Sequence, residues 1–128
     1  MQYKHIIWDW NGTLLDDRWL CVEAINKTLS KRNMNTITDD EYLELFCFPV
    51  KDYYQKLGFN FNKEPFSVPG TEFVDYYNGK FREPHLQTGV KGALKSVLDS
   101  GLTQSILSAG KQEFLDQWIE YNKLKKYF

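Results

Sequence analysis

Apolar and polar positions change period several times along the chain, and each change marks an element. Tyr3-Lys4-His5-Ile6-Ile7-Trp8 is short, β-branched and aromatic, with consecutive apolar residues, the pattern of a strand covered on both faces. Asp9-Trp10-Asn11-Gly12-Thr13 cannot continue it. From Asp16 the period lengthens: Leu15, Trp19, Val22, Ile25 or Asn26, and Leu29 fall three or four apart, predicting an amphipathic helix to Arg32 or Asn33. Thr38-Asp39-Asp40-Glu41 has capping-box spacing ahead of Tyr42, Leu43, Leu45 and Phe46, so a second, short helix starts there. Pro49 breaks it and suits the first turn of a third helix, Val50 to Leu57, which Gly58 ends in a left-handed conformation. Phe59 to Pro69 reads as a loop, and Phe73, Tyr76, Tyr77 and Phe81 mark a fourth helix that ends before Pro84. Thr88 is placed to cap a fifth helix carrying Val90, Ala93, Leu94, Val97 and Leu98, with Gly101 as its stop. Leu102 to Leu107 is strand-like and ends at Ser108-Ala109-Gly110. Phe114, Leu115, Trp118, Ile119 and Tyr121 then predict a last amphipathic helix.

The order is therefore strand and helix, a helical insert, then helix, strand and helix, with no internal repeat. This predicts an α/β core from residues 1–15 and 83–128, and an all-helical insert at 16–82 grafted into it as a lid. A chain of 128 residues is long enough for one core, and its 42% hydrophobic and 26% charged residues exclude a disordered or low-complexity protein. No apolar run approaches the roughly 20 residues of a membrane helix, and the start Met1-Gln2-Tyr3-Lys4-His5 lacks a secretory profile, so the expected location is cytoplasmic. Sixteen basic residues against seventeen acidic give no field for nucleic acid or an anionic membrane, so neither is expected as a partner, and phosphate recognition must be local. Cys21 and Cys47 stand in apolar segments without a CxxC or a Cys/His cluster, and are expected to be small buried hydrophobes.

A carboxylate directly after a buried strand, followed by a Gly-Thr turn, puts acidic oxygens at the carboxyl end of a parallel sheet, where open α/β folds bind ligands. Asp9 is that carboxylate. Gly12 permits a tight turn with inward N–H groups, and Thr13 supplies a hydroxyl, so the turn can cradle phosphate oxygens. Ser108-Ala109-Gly110 repeats the arrangement ahead of a helix N-terminus. The two turns are expected to face one another, with Asp9, Thr13 and Ser108 converging on one cleft. His5 and His85 lack the spacing of metal ligands and are read as structural, and Tyr53, Tyr54, Tyr76 and Tyr77 as core of the insert.

With these residues in place, Ile6-Ile7-Trp8-Asp9-Trp10-Asn11-Gly12-Thr13-Leu14-Leu15 resembles motif I of the haloacid dehalogenase-like (HAD) superfamily, whose phosphatase form is DxDGT. Ser105-Ile106-Leu107-Ser108-Ala109-Gly110 resembles its motif II, a strand ending in Ser or Thr. Order, strand context and spacing fit the phosphoglycolate phosphatase-like branch, with the insert as a helical C1 cap on a Rossmann-like core. The resemblance implies a Mg²⁺-dependent hydrolase of a small phosphorylated metabolite, a phosphoric monoester, acting through an aspartyl-phosphate. Asp9 would be the nucleophile and a metal ligand, and the backbone carbonyl of Asn11 a second ligand. Gly12, Thr13, Ser108, Ala109 and Gly110 would hold the phosphoryl oxygens.

The sequence departs from the family's pattern in one residue and one absence. Asn11 stands at the acid/base position where the phosphatases carry Asp, and an amide exchanges no proton at neutral pH, a group worth about 10²–10⁴-fold in rate. The Lys of motif III and the acidic residues of motif IV would lie beyond Phe128, so the core is expected to be incomplete: either the chain is truncated, or self-association completes its sheet. The 128-residue chain is accordingly expected to be inactive alone. Rival readings are a non-catalytic phosphate-binding pseudoenzyme or truncated fragment, and a haloacid dehalogenase using the same Asp9.

Overall fold

The computed structural model describes residues 2–128; Met1, the first residue of the expected core, lies outside the described residues. In chain order the elements are β1 (His5–Trp8), β2 (Leu15–Asp16), α1 (Arg18–Lys31), α2 (Asp39–Leu45), α3 (Val50–Leu57), α4 (Ser67–Gly79), β3 (His85–Leu86), α5 (Val90–Asp99), β4 (Thr103–Ile106) and α6 (Gln112–Tyr121), then a 3-10 turn at Lys125–Tyr127. They form two compact units, one of residues 1–17 and 82–128, the other of residues 18–81.

In the first unit β1 and β4 pair in parallel, His5 opposite Thr103 and Trp8 opposite Ile106. The pair is covered on one face only. Ile6 and Trp8 are half-buried, whereas Ile7 is 63% exposed, so the expectation of a strand covered on both faces does not hold here. On the open face the His5 ring spans two hydroxyls, with Nδ1 2.7 Å from Thr103 Oγ1 and Nε2 2.8 Å from Ser105 Oγ. On the covered face the buried Gln104 side chain accepts from Trp8 Nε1 at 2.9 Å and donates to the Leu94 carbonyl at 2.9 Å, fastening α5 to the sheet. Trp10, Leu14, Leu15, Leu94 and Leu124 are buried in this unit, and the Trp10 ring sits 6.0 Å from that of Trp118 on α6. A second, antiparallel pairing joins β2 to β3, Leu15 opposite Leu86 and Asp16 opposite His85. It lies where the chain leaves the core and where it returns.

The second unit packs α1 against α4 and α2. Its core is Ile25, Leu29, Ile37, Tyr53, Tyr54 and Phe59, with Cys47, Phe61, Phe66 and Phe73 packed around it. Tyr53 and Tyr54 are therefore core residues, and burial pushes both phenols well above their usual range. The polar ties are specific. Asn26 donates to the Ile37 carbonyl and accepts its N–H, pinning the loop after α1. Arg32 reaches Glu72 through both terminal nitrogens and Glu64 through Nε, at 2.6–3.1 Å.

Several local expectations are corrected. The buried face of α1 is Leu20, Ala24, Ile25, Thr28 and Leu29, while Trp19 is 40% exposed, because α4 and α2 select a stripe rotated from the one that the large residues suggested. α4 begins at Ser67, not after Pro69, since a proline in the first turn forfeits no intrahelical bond. α5 starts after Gly89 in a left-handed conformation, with no side-chain cap from Thr88. Cys21 and Cys47 are half-buried rather than buried. Thr38 and Glu41 do form the capping box, and Gly58 closes α3 at φ 107°.

Candidate active site

Asp9 follows the last residue of β1, at the end of the parallel pair, with its side chain exposed. One carboxylate oxygen accepts the Trp10 N–H at 2.8 Å and the other accepts the Thr13 hydroxyl at 3.3 Å. Across from it, beyond the end of β4, the Ser108 hydroxyl donates to Asn11 Oδ1 at 3.3 Å and accepts the Gly110 N–H at 3.1 Å. The parallel pairing makes this meeting possible, because Trp8 and Ile106 are register partners and both turns leave the sheet at the same end. Hydrogen bonds thus tie Asp9 to Thr13 and Asn11 to Ser108 within the first unit, each at 3.3 Å.

The turn is tighter than the sequence suggests. Thr13, Leu14 and Leu15 all direct their N–H groups at the Trp10 carbonyl, at 3.0–3.1 Å, and Gly12 N–H points to the Leu15 carbonyl at 3.0 Å. These backbone donors close the turn on itself instead of standing open to an anion, while the Thr13 hydroxyl donates to Asp9 and the Ser108 hydroxyl to Asn11. Gly12 sits at φ 73°, the left-handed region that favours glycine. Ala109 and Gly110 are exposed, in the bend that leads to α6, whose first residue is Gln112.

Asp17 is the residue that sequence reasoning missed. It is 2% exposed, accepts the Gly12 N–H on Oδ1 at 2.8 Å and accepts Asn11 Nδ2 on Oδ2 at 2.9 Å. The signal was present in the run Leu14-Leu15-Asp16-Asp17, where two acids follow two core leucines. Only closure of the turn shows which acid faces inward.

The two groups that the family resemblance names as metal ligands, the Asp9 carboxylate and the Asn11 backbone carbonyl, are hard oxygen donors. Among the described residues there is no cluster of three or more His, Cys, Asp or Glu side chains able to hold a metal. A single carboxylate with a carbonyl suits Mg²⁺, which keeps most of its waters and shares the phosphate oxygens of a substrate. Lys111 precedes α6 and makes no side-chain cap there.

A sequence profile of the family described as haloacid dehalogenase-like hydrolase matches residues 6–128. Among curated proteins, one provisionally named pyrophosphatase PpaX, from Caldanaerobacter subterraneus subsp. tengcongensis, is 22% identical over 130 residues, covering 100% of this chain and 57% of its own. A predicted phosphoglycolate phosphatase from Haemophilus somnus 129pt superposes with a TM-score of 0.80 at 16% identity, covering 100% of this chain and 61% of that one. A predicted phosphatase from Clostridium acetobutylicum gives a TM-score of 0.80 at 21% identity, covering 100% and 59%. This chain spans about 60% of the length of these relatives. With the profile matched from the first strand to the last residue, and with the fold shared, the chain belongs to the haloacid dehalogenase-like hydrolase family.

Proposed function

We propose that this chain carries the nucleophile half of a phosphatase acting on a small phosphate monoester, with Asp9 as nucleophile and residues 18–81 as the cap. The carrying observation is the pair of hydrogen bonds, Thr13 to Asp9 and Ser108 to Asn11, in the turns that leave one end of the β1–β4 pair. A carboxylate oxygen of Asp9 attacks phosphorus in line, a new O–P bond forms to give an aspartyl-phosphate, and the bond from phosphorus to the alcohol oxygen breaks. The Thr13 and Ser108 hydroxyls, now turned toward Asp9 and Asn11, rotate to donate to the phosphoryl oxygens, where negative charge is held. Asp9 and the Asn11 carbonyl would hold Mg²⁺, which supplies charge neutralisation when bound.

The departing alkoxide needs a proton, and Asn11 has none to give. That favours a leaving group acidic enough to depart unaided, and it supports a second reading in which the chain binds phosphate without turnover. The test is Mg²⁺-dependent hydrolysis of p-nitrophenyl phosphate, whose leaving group needs little protonation, by the 128-residue chain and by a version extended to the relatives' length. Asp9→Asn should abolish turnover, and equal rates for wild type and Asp9→Asn would end the nucleophile assignment. Ser108→Ala should slow it by about 10²–10³-fold, as for one lost oxyanion donor. No turnover in either length, with inorganic phosphate still bound, would establish the pseudoenzyme.

A further inference from the structure

We propose that Asp17 is the positioning residue of this site, and that positions 11 and 17 form a pair in which one carboxylate is tolerated and two are not. This rests on the Asp9 turn being the phosphoryl-transfer site, and adds the residue that decides what position 11 presents there. A carboxylate only accepts hydrogen bonds, so Asp17 orients the Asn11 amide with Nδ2 toward itself and Oδ1 toward Ser108. The same carboxylate takes the N–H of Gly12, the left-handed residue on which the turn pivots. One nearly inaccessible side chain thus sets both the backbone of the turn and the polarity of its outward-facing group.

Charge explains the amide at position 11. A carboxylate there would meet the buried Asp17 oxygen to oxygen, where a donor now bridges 2.9 Å. The neutral residue that removes the proton carrier is the one that Asp17 requires. In D17N the acceptor for Gly12 survives, but two amide nitrogens would face each other, so Asn11 must invert and turn a donor on Ser108. In N11D/D17N the amide at position 17 donates to the carboxylate at position 11, Gly12 keeps its acceptor, and Ser108 again faces an acceptor.

The experiment is a double-mutant cycle on the 128-residue chain at a single neutral pH, read by thermal unfolding and by ¹H–¹⁵N spectra. N11D and D17N should each melt about 5 °C or more below wild type, and N11D/D17N should recover at least half of the summed loss. Gly110 N–H, which donates to Ser108, should shift in D17N and return toward its wild-type position in N11D/D17N. If N11D does not fold, the comparison of D17N with N11D/D17N decides, since adding N11D to D17N must then raise the melting temperature. Losses that add, recovery of less than half, or N11D as stable as wild type would overturn the pairing and leave Asp17 a buried acceptor that does not decide position 11. The cycle reads folding and orientation, so its outcome is independent of the Asp9→Asn test, and its failure would leave the nucleophile assignment standing.

Discussion

The surroundings of Asp9 are fixed by neighbours that have other obligations. Trp10, whose N–H binds the Asp9 carboxylate, is 0% exposed in the core, and its carbonyl gathers the N–H groups of the following turn. Gly12 tests how strictly that turn is held. A Cβ built there meets nothing within 4 Å, so the cost of Gly12→Ala is conformational and not steric. It should amount to about 1–2 kcal/mol, the penalty of a left-handed alanine, and appear as a lowered melting temperature. An unchanged melting temperature would mean that the turn relaxes out of the left-handed region. Asp9, Gly12, Thr13 and Ser108 were legible in the sequence because the turns that display them are local and each follows a strand. Asp17 was not, since its role depends on a bend that brings it back upon Asn11 and Gly12, and adjacent Asp16 offered the same chemistry.

Elements were legible where their ends are governed by neighbours in sequence. The Thr38–Glu41 box and the Gly58 stop are contacts within a few residues, and both formed as expected. The face that α1 buries is decided by α2 and by α4, which begins some fifty positions on, and no periodicity within α1 states it. That same packing gives the second unit an acid-sensitive tie. Hydrogen bonds from Arg32 hold the Glu72 carboxyl down at about 2, against an ordinary 4.5. A lowered carboxyl contributes its stability above the unfolded value and loses it as pH falls toward the folded one, here between pH 4.5 and about 2. Thermal unfolding from about pH 7 to about pH 2.5 should therefore show melting temperature falling across that window. Arg32→Met should flatten the fall and cost about 1–3 kcal/mol at neutral pH, because it leaves Glu64 and Glu72 without their guanidinium. An undiminished slope in Arg32→Met would place the acid sensitivity elsewhere.

At the scale of the molecule the first unit is a parallel pair with an outer edge on each strand. Parallel sheets are stable chiefly when both faces and more strands are covered. Here Ile7 is 63% and Leu107 71% exposed. Beside truncation, the other explanation of an incomplete sheet, we propose that a second copy of the 128-residue chain covers this surface in solution. Its mass by sedimentation should exceed the monomer value of 15.2 kDa at micromolar concentration, and Ile7→Lys with Leu107→Lys should return it to monomer. A monomeric wild-type chain would reject self-association. The pairing of β2 with β3 has a different consequence. Because Leu15 and Leu86 are partners and Gln87 N–H reaches the Leu14 carbonyl at 2.8 Å, the polypeptide departs from the core and rejoins it through one clasp. Everything between is a closed excursion whose two ends are fixed at neighbouring backbone positions. A helical cassette of another length or composition needs only to begin and end at this clasp.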